Sequence, residues 1–166
     1  MLATTLIIVS LLTAESTEPP PVEFRCDSLK VDSGPGQSSC KGNVVVVRGP
    51  VLMCCDNFKA QADEDWKWET FTCSGNVRAQ RFNEFVWSDR ATFLFEQSLI
   101  TLTGKPILRR GRSLMTGKLV KIDLQNDQAH VSSPRGRIME EAQLDKSLVE
   151  PPRLSSKCPL PPKPSY

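Results

Sequence analysis

The sequence predicts an all-β fold, a β-solenoid or jelly-roll of stacked repeats about 30 residues long. Three observations predict it. Gly42-Asn43-Val44 recurs as Gly75-Asn76-Val77, with a weaker copy at Gly104-Lys105-Pro106. An aspartate followed by alternating apolar residues appears at Asp27, Asp56 and Asp89. The glycines lie 33 and 29 residues apart and the aspartates 29 and 33, so two independent markers share one period. The segments between the markers alternate with period two, which turns one face of a strand inward and the other outward.

Each element follows from local pattern. Val44–Val47 is a β-branched run suited to a pleated strand. Phe58 and Ala60 alternate with Asn57 and Lys59, and Val77 and Ala79 with Arg78 and Gln80. Ala91, Phe93 and Phe95 alternate with Arg90, Thr92 and Leu94; Val120, Ile122 and Leu124 alternate with Leu119, Lys121 and Asp123. Leu94 and Leu119 interrupt the polar face. The clusters SGPGQSS, RGP, RRGR and SSPRGR mark turns and corners. A further step of 29 lands on Lys118, which opens KLVKI, and on Ser133, beside Pro134. Asp-to-Gly distances are 15, 19 and 15; the extra residues of the second repeat fall in DEDWKWET, Asp63 to Thr70, at a hairpin tip. Trp66 and Trp68 of that tip either meet a membrane interface or partner, or fold onto their own sheet. The rungs are residues 24–49, 52–82, 84–111 and 113–139, each of two strands and a turn.

The ends differ in composition. Residues 1–14 read MLATTLIIVSLLTA, an uncharged stretch whose apolar run is too short to cross a bilayer, which takes about 20 residues. It fits a signal peptide, with residues 15–21 as a linker, a mature start near Glu15 and export; the alternative is a buried N-terminal strand. Residues 22–139 form the repeat domain. Residues 140–166 carry Pro151, Pro152, Pro159, Pro161, Pro162 and Pro164 and are expected to be a disordered or polyproline-like tail.

Composition excludes several functions. The chain is 39% hydrophobic and 24% charged, as a folded protein is, and its net charge of +2 is small for a nucleic-acid binder. Arg109, Arg110 and Arg112 read as a solvated turn. His130 is the single histidine, and no nucleophile elbow, phosphate loop or dinucleotide fingerprint is present, so no catalytic residue and no cofactor is expected. The repeated aspartates lack second carboxylates beside them, and no CxxC pair exists, so no metal site is expected. The plainer role for each aspartate is a corner hydrogen bond to a backbone N–H.

Six cysteines allow 15 full pairings. Cys26 and Cys55 each precede a repeat aspartate, and Cys40 and Cys73 each lie two residues before a repeat glycine. Pairing within rungs gives Cys26–Cys40 and Cys55–Cys73, the preferred arrangement. Stacking gives Cys26–Cys55 and Cys40–Cys73. Cys54 is a substitute for Cys55, with which it cannot share a face. Free buried thiols are the remaining alternative.

The unit of Asp-x-apolar-x-apolar, a turn, then Gly-Asn-Val-x-Val resembles the OstA-like repeat of the LptA, LptC and LptD family. The stretches are CDSLKVD with CKGNVVVVRG, CDNFKAQAD with CSGNVRAQR, SDRATFLFE with LTGKPILRRG, and GKLVKIDLQ. The resemblance spans residues 22–139. It implies a twisted, V-shaped β-jelly-roll that holds the acyl chains of lipopolysaccharide in an apolar interior. It also implies a periplasmic protein bridging the inner and outer membranes. Its partners would be lipopolysaccharide and LptC-like and LptD-like jelly-rolls joined by edge-to-edge strand pairing, with a head-to-tail homo-oligomer as a further assembly. Size and the short apolar N-terminus favour the LptA-like role over the LptC-like one. Lys105-Pro106, Lys118 and Ser133, the cysteines and the Pro-rich tail depart from the family pattern.

A lipid path needs equivalent inward residues aligned from rung to rung. The glycine phase supplies Val44, Val46, Val77, Ala79, Pro106 and Leu108; the aspartate phase supplies Phe58, Ala60, Ala91, Phe93, Phe95, Val120 and Ile122, and, continued backwards, Trp87 and Phe85. The small members leave room for a ligand. The competing reading is a dry core in a structural scaffold that binds no lipid.

Overall fold

A computed structural model describes residues 20–32, 36–140 and 149–165. The expected signal peptide lies outside the described residues. Among the described residues, twelve strands form one antiparallel sheet: β1 (Val22–Arg25), β2 (Ser28–Val31), β3 (Gln37–Arg48), β4 (Val51–Ala62), β5 (Trp68–Arg81), β6 (Glu84–Leu94), β7 (Leu99–Thr103), β8 (Ile107–Arg110), β9 (Ser113–Thr116), β10 (Leu119–Asp123), β11 (Gln128–Ser132) and β12 (Arg135–Arg137). The four longest strands, β3 to β6, bend midway, and the pairing divides there into two leaves. Leaf one joins β2, the start of β3, the end of β4, the start of β5, the end of β6, β7, β10 and β11. Leaf two joins β1, the end of β3, the start of β4, the end of β5, the start of β6, β8, β9 and β12. One sequence repeat is thus a circuit: out and back along leaf one between Asp and Gly, then out and back along leaf two between Gly and the next Asp.

The corners explain the repeat. Gly42, Gly75 and Gly104 have φ of 77°, 78° and 76°, and the residues after them, Asn43, Asn76 and Lys105, have 46°, 47° and 53°. Two successive left-handed residues suit Gly and Asn and break the strand's flat pleat. The register slips at the Gly-Asn of β3 and β5, opposite the bend of the neighbouring strand. The Asp27 and Asp89 N–H groups donate to the carbonyls of Gly42 and Gly104, each at 3.0 Å. Asn43 Nδ2 donates to Asp27 Oδ2, and Asn76 Nδ2 to Asp56 Oδ2, each at 2.8 Å. The Asp27 and Asp56 carboxylates therefore cap the side chain of the neighbouring corner, not the backbone N–H expected for them. The extrapolated positions are also corners: Lys118 N–H donates to Ser132 O at 2.9 Å, and Ser133 has φ 50°.

Inside the bend lies the main core, with residues from both leaves. Two disulfides join neighbouring strands at the corners on this inner side. Cys26–Cys40 and Cys55–Cys73 have Cα separations of 5.7 and 5.8 Å. This is the within-rung arrangement, although the two strands lie side by side in the sheet, not face to face. Each closes a loop near the size for which the chain-entropy model gives about 3 kcal/mol.

The outer side of leaf two holds a second core, and residues 149–165 of the tail are ordered against it, as an extended segment and not a disordered one. Residues 149–165 form neither helix nor strand, yet they are fastened to the sheet. Cys158 is bonded to Cys54, 104 residues earlier. Leu160 is buried with Val45, Val47 and Leu52. Arg78 Nη1 donates to Leu160 O at 3.2 Å and Trp87 Nε1 to Pro161 O at 3.0 Å. A segment with this little apolar surface does not order by burial alone; the crosslink and the borrowed donors offset the cost of ordering it.

A Cβ on Gly75 would lie 2.5 Å from Asp56 Oδ2 and would hold an unfavourable φ. Gly75→Ala is expected to cost about 1–3 kcal/mol, read as a lower urea midpoint at unchanged slope.

Candidate functional site

The two leaves face each other across a groove, and strand alternation determines what lines it. From leaf two come Val44, Val46, Met53, Val77, Ala79, Val86 and Leu108; from leaf one come Phe58, Ala60, Phe71, Ala91, Phe93, Ile100, Leu102, Val120 and Ile122. Near the corners these side chains meet and the core is dry. Further out the leaves diverge and leave space. One lobe, about 410 Å³, runs past Phe24, Leu29, Ala60, Trp68 and Phe95. A second, about 460 Å³, runs past Val46, Met53, Phe93, Ile100 and Leu124. Pro20, Arg48, Phe58 and Phe71 line both, so the lobes are parts of one groove.

Aromatic rings form the floor of the first lobe. Phe71 meets Phe58, Trp68 and Phe95 edge-on at 5.1, 5.4 and 4.4 Å between centroids, and Phe93 meets Phe95 at 4.7 Å. These are the tilted arrangements that ring quadrupoles favour. Polar contacts at the open edge are few and paired. Arg81 Nη2 donates to Glu84 Oε2 at 2.8 Å on its own leaf and to Asp127 across the gap. Arg110 Nε donates to the other oxygen of Glu84 at 2.6 Å. Asp123 shapes the turn that presents Asp127. Its carboxylate is held below the ordinary range by the Asn126 N–H first, and then by the Asn126 amide. Arg48 reaches from leaf two over Phe93 and Phe95, 5.0 and 4.6 Å from their centroids. Burial lowers its pKa, but a guanidinium remains charged in proteins.

Of the residues selected from the alternation, Val44, Val46, Phe58, Ala60, Val77, Ala79, Ala91, Phe93, Leu108, Val120 and Ile122 lie in the inter-leaf core, with Phe95 packed against it half-buried. Trp87 does not, and neither does Phe85. Alternation continued backwards through Asp89 holds only for a straight strand. The bend takes an additional residue, so the inward side chains step from Ser88 to Ala91, and before the bend they are Ser88 and Val86. Trp87 is buried on the outer face of leaf two, stacked on Phe85 at 6.0 Å beneath Arg109 and the tail. The same step at Asp56 places Cys55 inward and Cys54 outward.

The alternation did not yield Arg48, Met53, Phe71 or Ile100. Phe71 and Ile100 sit on strands that precede a glycine corner, in phase with Cys73 and Leu102. That register could have found them. His130 is exposed on β11, and among the described residues no group of His, Cys, Asp or Glu is arranged to hold a metal ion.

A profile of the family described as "LptA/(LptD N-terminal domain) LPS transport protein" matches residues 23–128. The chain belongs to this family. The match starts at β1 and ends in β11, covering both leaves of the groove and leaving out the tail. Among solved structures, the chain is similar to LptH, described as the LptA-homologous periplasmic component of the lipopolysaccharide transport device from Pseudomonas aeruginosa. The TM-score is 0.62 at 18% identity, over 75% of this chain and 96% of that one. No curated protein sequence matches significantly. The LptA/LptD N-terminal family is one of transport and binding proteins, not of enzymes, and the all-β jelly-roll is its fold.

Phe93 is buried between the leaves and lines the second lobe. Phe93→Asp is expected to lower the unfolding free energy by at least about 3 kcal/mol, the loss for removing a buried phenylalanine, before the added cost of a buried charge. Urea denaturation followed by circular dichroism measures it.

Proposed function

We propose that this protein carries lipopolysaccharide across the periplasm, with the acyl chains in the inter-leaf groove and the sugars in water. The observation that carries this reading is an apolar groove whose lobes, about 410 and 460 Å³, are not filled by side chains of the described residues. A dry scaffold core would close on itself, because unfilled apolar volume is costly. Each methylene moved from water into such a groove contributes about 0.8 kcal/mol. The two lobes run along the sheet from β1 and β2 toward the turn after β10, where Leu124 and Asp127 line the second lobe.

The two ends suit a bridge. Edge strands β1 and β2 expose Phe24, Leu29 and Val31, which are 44%, 50% and 63% accessible. At the other end β11 and β12 expose His130, Arg135 and Arg137. Unpaired strand edges recruit further strands. The partners in this reading are LptC-like and LptD-like jelly-rolls, or a second copy of this chain placed head to tail. In this reading residues 1–14 act as the export signal and residues 15–21 as its linker.

Lipid co-purifying with protein expressed in a Gram-negative host should be detectable by mass spectrometry. Delipidated protein should shift on a native gel with purified lipopolysaccharide. Ala60→Trp fills the first lobe and is expected to weaken binding at least tenfold, about 1.4 kcal/mol. Folded protein that binds no lipopolysaccharide would leave the scaffold reading in place. Val31→Lys, a charge on an open edge, is expected to reduce concentration-dependent assembly measured by light scattering.

A further inference from the structure

Arginine stands six residues after the corner glycine in three successive rungs, at Arg48, Arg81 and Arg110. Each is the last residue of its strand on leaf two. The ladder places them in one row across that leaf: Arg48 opposite Val51, Val51 opposite Arg81, Arg81 opposite Glu84, and Glu84 opposite Arg110. Glu84 neutralises Arg81 and Arg110 together. The residue that corresponds to Glu84 in the preceding rung is Val51, so Arg48 lacks the counter-charge that its two equivalents share. Its other ladder neighbour is Val22, also apolar. Among the described residues no carboxylate pairs with Arg48, and its Nε is buried without a hydrogen-bond partner. This cation lines both lobes of the groove, where they join.

A cation held against two phenylalanine rings gains a quadrupole attraction, but its N–H donors still require acceptors. Leaving the buried Nε–H without an acceptor is costly, and an arriving anion removes that cost. A guanidinium offers a planar fork that fits the oxygens of a phosphate in two parallel bonds. We propose that Arg48 is the anion-reading residue of the groove, binding a phosphate carried by an acyl-chain amphiphile whose chains occupy the two lobes. The proposal rests on the groove taking acyl chains. It adds that the groove selects for charge at one defined point, in the first rung.

The test uses delipidated full-length protein and three single-chain probes with the same acyl chain, each below its micelle concentration. These are lysophosphatidic acid, the free fatty acid and the uncharged monoacylglycerol, titrated by calorimetry. Wild type is expected to prefer lysophosphatidic acid to monoacylglycerol at least tenfold, about 1.4 kcal/mol. The preference should shrink as salt is raised. The fatty acid should fall between them if phosphate geometry matters, and should equal lysophosphatidic acid if charge alone does. Arg48→Gln should bring the ratio to about one, and Arg48→Lys should keep part of it. Arg90→Gln, at an exposed arginine beside a corner, should keep all of it. Equal binding of charged and uncharged probes by wild type, or a ratio that survives Arg48→Gln, overturns the role of Arg48 and leaves the lipid groove standing. No binding of any probe overturns the groove as an acyl site, and Arg48 with it. If Arg48→Gln does not fold, the wild-type ratio and its salt dependence decide.

Discussion

Everything in this structure depends on how a β-strand is made to bend without losing its neighbours. At each corner a glycine and the residue after it adopt left-handed backbone, and the aspartate of the adjoining strand packs into the space where a glycine side chain would be. At Gly42 and Gly75 the missing Cβ would sit 2.4 and 2.5 Å from the carboxylates of Asp27 and Asp56. Asparagine then donates to that same carboxylate. Three properties converge at one point: tolerance of positive φ, absence of a side chain, and an acceptor for an amide. This is why the markers repeat with so little else in common between rungs. It is also why the two leaves share one set of strands. A sheet that bends this way has two inner walls at a divergent angle, and the groove follows from the angle.

The fold was legible because this constraint is written in residues with few substitutes. Even where the markers fade, at Lys118 and Ser133, the spacing alone located corners, because strand lengths on leaf two barely vary. The groove walls were legible for the same reason, from alternation counted away from each glycine or aspartate. Trp87 was lost because alternation does not survive the bend; counting through Asp89 transfers a side chain to the opposite face. Arg48 was passed over because a charged residue at a strand end reads as solvent-facing, and its partnerless state depends on Val51 across the ladder.

The tail shows a different limit. Its proline content and scarcity of apolar residues describe a segment that does not fold by itself, and it does not: it is held as an extended strap. The sign that something covers leaf two was in the sheet. Val44–Val47 is apolar at four consecutive positions, and in an antiparallel strand this means burial on both faces. Val44 and Val46 serve the groove, and Val45 and Val47 require a cover. Cys54, facing away from Cys55, was the attachment point. The cover came from more than a hundred residues downstream, beyond the reach of any local pattern.

That separation sets an order of events for the nascent chain. Cys26–Cys40 and Cys55–Cys73 join cysteines 14 and 18 residues apart, so each can close as soon as its own hairpin has formed. Cys54 has no native partner until Cys158, 104 residues later, has been made. Meanwhile it sits next to Cys55, which must be taken by Cys73 for oxidation to proceed correctly. Opposite facing along β4 keeps the two sulfurs on different sides of the sheet, so each meets only its own partner in the folded chain. The outer face of leaf two depends for its cover on a segment distant in sequence, and a chain without the Cys54–Cys158 crosslink would leave Val45, Val47, Leu52 and Trp87 less protected from water.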